Sequence, residues 1–150
     1  MRNTHNHSIK FFLLTSIVLF GACQKEKNND LPGTCPLNTS TVAGNYAFTS
    51  MKYKATATAT EQDWKQFMDP CERDDNIFFS ANGTYTYTDK GMICSPNGND
   101  SGTWSLTGNT ITSDGDLNGT VEKFDCKSLT FYASDIIIPG DRMTCVLTRQ

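Results

Sequence analysis

Residues 71–111 read CERDDNIFFSANGTYTYTDKGMICSPNGNDSGTWSLTGNTI. Asn82-Gly83 separates two β-rich runs, Asn76 to Ser80 and Thr84 to Thr88. Asn-Gly in that setting is a strong hairpin signal, because both residues tolerate positive φ. A two-residue turn would pair Ala81 with Thr84. A three-residue turn with Gly83 as a left-handed bulge would pair Ser80 with Thr84 and Phe79 with Tyr85. The second is preferred, because it sets two aromatic rings opposite one another on one face. Cys71 lies 11 residues before Asn82, and Cys94 lies 11 after Gly83. Extending the ladder brings the two nearly into opposition, so a Cys71–Cys94 disulfide is expected. A second hairpin follows: Gly102 to Thr107, the turn Gly108-Asn109, then Thr110 to Thr112. Gly at the first central position suits a type II′ turn. Trp104 and Leu106 alternate with Thr103, Ser105 and Thr107, giving one buried and one wet face.

These residues resemble a known family. Cys71, Asp74, Asp75, Phe79, Asn82, Gly83, Thr84, Tyr85, Cys94, Gly102, Trp104, Leu106, Gly108 and Asn109 are similar to the lipocalin-like domain of small Bacteroidetes lipoproteins. Val42-Ala43-Gly44-Asn45-Tyr46 stands where that family begins its first strand with Gly-x-Trp; here Tyr46 replaces the Trp. Leu129-Thr-Phe131 and Cys145-Val-Leu147 match in pattern. The resemblance covers residues 41–150. It implies an all-β fold, an up-and-down antiparallel β-barrel of about eight strands or a strongly curled sheet, and it implies little about function.

Three segments are expected along the chain. Residues 1–22 read as a lipoprotein signal peptide. Arg2 and Lys10 form its basic start, and Phe11 to Phe20 an apolar run too short to span a bilayer as a helix. Leu19-Phe20-Gly21-Ala22-Cys23 resembles a lipobox, making Cys23 the expected lipidation site and the membrane the expected partner. Residues 23–40 read as lipidated Cys plus flexible tether, polar and without an apolar period. Residues 41–150 would be the barrel. The expected location is the cell envelope, anchored in the outer membrane and facing the periplasm or the outside.

Within the barrel, Tyr46 to Lys54, Gly119 to Phe124, Lys127 to Ala133 and Arg142 to Thr148 read as strands. Glu61 to Met68 reads as one short helix, with Trp64, Phe67 and Met68 on one face. Ile136-Ile137-Ile138-Pro139-Gly140 reads as a hydrophobic loop.

Removing residues 1–22 removes both histidines, His5 and His7, and leaves 11 basic residues against 16 acidic ones. That balance argues against nucleic acid as a partner. Without histidine, Ser-His-Asp and Cys-His catalysis and His metal centres are excluded, so a non-enzymatic protein without a cofactor is expected. Asp74-Asp75 point to opposite faces of an extended strand and do not form an acid–base pair. Residues 114–125 carry Asp114, Asp116, Asn118, Gly119, Glu122 and Asp125 at calcium-loop spacing. Yet Asp stands at the last position and no helices flank the loop, so no metal is assigned. After Cys23, five cysteines remain. Cys126–Cys145 is the second expected bridge, with Cys35–Cys145 as its rival.

An eight-stranded barrel either fills with its own side chains or holds one small ligand. A small hydrophobic ligand would meet Phe79, Tyr85, Trp104 and Phe131, with Trp64 or Phe67 near the mouth. The alternative is a filled barrel acting as a structural or interaction module.

Overall fold

The structure, a computed structural model, describes residues 35–150. The signal segment, Cys23 and the tether as far as residue 34 lie outside the described residues. A single helical turn, α1 (Thr39–Val42), precedes nine strands: β1 (Gly44–Lys54), β2 (Gln62–Asp63), β3 (Asn76–Phe79), β4 (Thr84–Thr88), β5 (Asp100–Thr107), β6 (Thr110–Ser113), β7 (Gly119–Phe124), β8 (Ser128–Ser134) and β9 (Arg142–Arg149). All pairings are antiparallel: from β3 to β9 each strand pairs with the next, β1 pairs with both β2 and β3, and β9 returns to pair with β1. Eight strands therefore close into an up-and-down barrel, and β2 is an extra strand on β1. One edge of β1 lies along β9. Its other edge serves β3 in the first half and β2 in the second. Residues 35–150 hold the whole ring of hydrogen bonds and its core, and so make a self-contained folding unit.

The β3–β4 hairpin uses the bulged turn. Phe79 faces Tyr85, Ser80 N donates to the Thr84 carbonyl (2.8 Å), and Gly83 has φ +87°. At the β5–β6 turn Gly108 takes φ +61° while Asn109 stays at negative φ, as a type II′ turn requires. Two strands change phase midway. Thr49 is extra in β1, so Tyr46 and Phe48 face inward before it, and Met51 and Tyr53 after it. Glu122 is extra in β7, so Val121 and Phe124 both point inward although they are three residues apart. A bulge inserts one unpaired residue and so reverses the alternation beyond it.

The helix expected over 61–68 is absent. Gln62 and Asp63 pair with Tyr53 and Lys52, and Trp64 N donates to the Met51 carbonyl at 2.8 Å. Only Lys65–Phe67 then makes a 3₁₀ turn, and Pro70–Glu72 a second one. Eight residues are too few to sustain a helix when β1 offers a ladder to their first part.

The second bridge is also corrected. Cys71 and Cys94 are joined, with Cα atoms 5.2 Å apart, but Cys126 is bonded to Cys35 rather than to Cys145. Cys126 lies in the β7–β8 turn. Cys145 pairs with Phe131 on the interior face of β9, at a different level of the barrel. It is buried with a free thiol, which burial pushes up to about 11. Residues 35–40, read with the tether, belong to the folded unit: Cys35 and Leu37 are buried, and Asn38 caps α1.

The two ends of the barrel differ. The tight turns 80–83, 108–109 and 125–127 share one end with α1. Val42, Tyr46, Phe79, Trp104, Ile111, Val121, Phe124, Leu129 and Leu147 belong to the core. Arg149 locks this closed end. Its guanidinium donates to the Thr41 carbonyl (2.7 Å) and to the Tyr46 hydroxyl (2.8 Å), and it lies over the Tyr46 ring. The long loops 55–75, 89–99, 114–118 and 135–141 gather at the other end.

Candidate functional site

The long-loop end is where the interior is unfilled. A cavity of about 320 Å³ is lined by Phe48, Met51, Met68, Tyr85, Tyr87 and Leu117, with Glu72, Asp100 and Asp116 also at its walls. A second, of about 210 Å³, shares Phe48, Met51, Asp116 and Leu117 with it and continues past Phe131, Met143 and Cys145 to Ile136. The two are lobes of one hollow under the loops.

The bulge at Thr49 builds the floor. It returns Met51 to the interior after Phe48, and both side chains reach the cavity. Unbranched methionines adapt to irregular space, and Met51, Met68 and Met143 all lie at this end. Tyr85 crosses the wall where Gly102 pairs with it. A Cβ on Gly102 would come within 2.8 Å of the ring, so the bare glycine makes room. The Tyr85 hydroxyl donates to Asp100 Oδ2 at 2.7 Å. That bond first, then burial and the charges of Asp100, Asp114 and Asp116, push the phenol up to about 12. Burial, followed by a hydrogen bond to Asp75, raises Tyr87 as well.

Of the four expected ligand contacts, Tyr85 and Phe131 do line the cavity. Phe79 and Trp104 do not; they are correct as core and displaced as site. Their rings meet at a tilt of 55° with centroids 4.9 Å apart, and Trp104 Nε1 donates to the Ser80 carbonyl at 2.9 Å. The bulged turn puts both residues beside the tight loops, at the filled end. Trp64 packs on Phe67 and on Tyr53, whose hydroxyl donates to Asp141 in the 135–141 loop, so Trp64 does stand near the mouth. Phe67 is 62% exposed, and Met68 takes the place expected of it at the wall. Sequence reasoning passed over Phe48, Met51, Leu117 and Met143. The broken alternation of β1 was the available signal for the first two.

The loop at 114–118 is a turn. Asp114 accepts from Thr103 N at 2.8 Å, whereas Asp125 accepts from Ser128 N at 2.6 Å beyond the other end of β7. The carboxylates do not converge, and among the described residues no three acidic, Cys or His side chains form a metal-sized cluster.

Asp141, almost fully buried, shapes one lip of the mouth. Its carboxylate accepts from the backbone N–H groups of Ile136, Ile137 and Ile138 (2.8–2.9 Å) and from the Tyr53 hydroxyl (3.1 Å). Burial pushes its pKa up, but the three N–H donors and Tyr53 together outweigh it and hold the group below the ordinary carboxylate value. A depressed folded-state pKa stabilises the fold above the unfolded value and ceases to do so as pH falls through the folded one. Stability is therefore expected to drop below about pH 4. Asp141→Asn should melt lower at pH 7 and show a shallower acid limb in circular-dichroism melts. Equal acid limbs in the two proteins would show that Asp141 is not a source of this dependence.

A family model described as a lipocalin-like domain matches residues 42–133, more than half of the 150-residue chain. The chain belongs to the lipocalin-like domain family. The match stops short of β9, yet β9 is the strand that closes this lipocalin-like barrel against β1. No curated protein matches the chain. The lipocalin-like domain here thus has one filled pole and one hollow pole, and the hollow pole is the candidate site.

Proposed function

We propose that the protein binds a small apolar or amphipathic molecule in the hollow end of its lipocalin-like barrel, as a lipid-anchored protein of the cell envelope. One observation carries the binding reading: the interior is packed solid at the Phe79–Trp104 end and left open around Phe48, Met51, Leu117, Phe131 and Met143. Concave, mostly apolar space with a few polar groups at its edge is the usual form of a small-molecule site. The anchoring rests on the lipobox-like Leu19 to Cys23 and on the polar run after it. No catalytic role is proposed.

A second reading has its own support. Ile136, Ile137 and Ile138 are 45–53% exposed, while their backbone is fixed by Asp141. A rigid apolar tip is a suitable contact for another protein. Native mass spectrometry of the chain from Gln24, exported to an oxidising compartment, separates the two. Extra mass that is lost on denaturation is expected for the binding reading. A bare mass, together with retention of the protein on a partner through Ile136–Ile138, would favour the interaction module.

A further inference from the structure

The walls of the larger lobe are chemically one-sided. Its floor is apolar, and its charged groups are Glu72, Asp100 and Asp116, all carboxylates. Among the described residues no lysine or arginine lines either lobe. Two cations of the 55–75 loop are turned to backbone. Lys65 Nζ donates to the Phe48 carbonyl at 2.7 Å, and Arg73 donates to the Gln66 and Met68 carbonyls. Among the described residues the one ion pair, Arg142–Glu122, involves none of the three carboxylates. Asp100 takes the Tyr85 hydroxyl and Glu72 takes Asp69 N, while the Asp116 carboxylate takes no hydrogen bond from a described residue. The Tyr85 phenol, raised by its bond to Asp100, by burial and by the charges of Asp100, Asp114 and Asp116, lies in the same negative surroundings.

A hollow built this way discriminates by charge. An anionic amphiphile such as a fatty acid would bring its carboxylate to three others. A neutral one would leave the field unused. A cationic head would meet Asp116, Glu72 and Asp100 at the rim, and the Tyr85 and Tyr87 rings offer it π faces. The apolar body would lie over Phe48, Met51 and Leu117. Resting on the binding reading above, we infer that the ligand class is a cationic amphiphile, an apolar chain or ring carrying an ammonium or guanidinium group.

The three carboxylates are solvent-exposed, so the preference is set by screened charge at a rim and not by a buried ion pair. Calorimetric titration of the chain from Gln24 with octylammonium, octan-1-ol and octanoate at pH 7 tests this, because the three probes share one chain. Octylammonium is expected to bind about tenfold more tightly than octanol, with octanoate weakest. The ratio should shrink as salt is raised on the unaltered protein, and fall toward unity in Glu72→Gln/Asp116→Asn. Octanol or octanoate binding as tightly as octylammonium would overturn the charge inference and leave the hollow a ligand site. Failure of all three probes to bind would overturn the ligand site itself.

Discussion

Removing the Cys35–Cys126 bridge by a double alanine substitution is expected to destabilise the domain by about 4.6 kcal/mol, more than removing Cys71–Cys94, at about 3.4 kcal/mol. The difference follows from the loops they close, with sequence separations of 91 and 23 residues. A crosslink restricts the unfolded chain, and the longer loop loses more freedom. Cys35–Cys126 also fastens the segment before α1 to the β7–β8 turn, so its loss frees the cap over the filled end. Cys71–Cys94 joins the approach to β3 to the β4–β5 loop beside the mouth. Urea unfolding of both double variants, without reductant, gives the ranking. A larger loss for the Cys71–Cys94 pair would show that the shorter bridge acts mainly through native-state contacts.

Phe79→Ala is expected to cost about 3–5 kcal/mol, enough to unfold a marginal domain. Phe79 is fully buried, faces Tyr85 across the hairpin, meets the Tyr46 ring edge-on at 6.0 Å and packs at a tilt on Trp104 at 4.9 Å. Those neighbours are held by the barrel and by hydrogen bonds, so little can collapse into the space left. Phe67→Ala is the contrasting case: the ring is largely exposed and should change stability by less than about 0.5 kcal/mol. Thermal melts of the two variants check the pair. Comparable losses would mean that the Trp64–Phe67 packing contributes as much as the barrel core.

Both hairpins were legible because local chemistry set them. Asn82-Gly83 and Gly108-Asn109 supply the positive φ that each turn needs, and alternation then assigns the faces of Phe79, Tyr85, Trp104 and Leu106. Cys71–Cys94 followed from the same register. The site was less legible because it depends on two irregularities. Thr49 shifts the phase of β1 and sends Met51 inward, and period-2 reading across a bulge assigns such a residue to the wrong face. Trp64, Phe67 and Met68 have helical spacing, but β1 captured Gln62 and Asp63 as a strand. The Cys35–Cys126 pairing needed α1 folded over the filled end, a contact 91 residues apart in sequence with no local signal. Arg149 was missed for the same reason: its partners, Thr41, Ala43 and Tyr46, are brought to it only when the barrel closes.

Barrel closure has a consequence for attachment. Cys35 is tied to the β7–β8 turn, and Gln150 N donates to the Asn45 carbonyl at 2.9 Å, so the backbone leaves the domain in both directions from the same pole. The hollow opens at the other. Any anchor, tag or fused module joined through either direction therefore pulls on the filled pole and leaves the opposite aperture unobstructed.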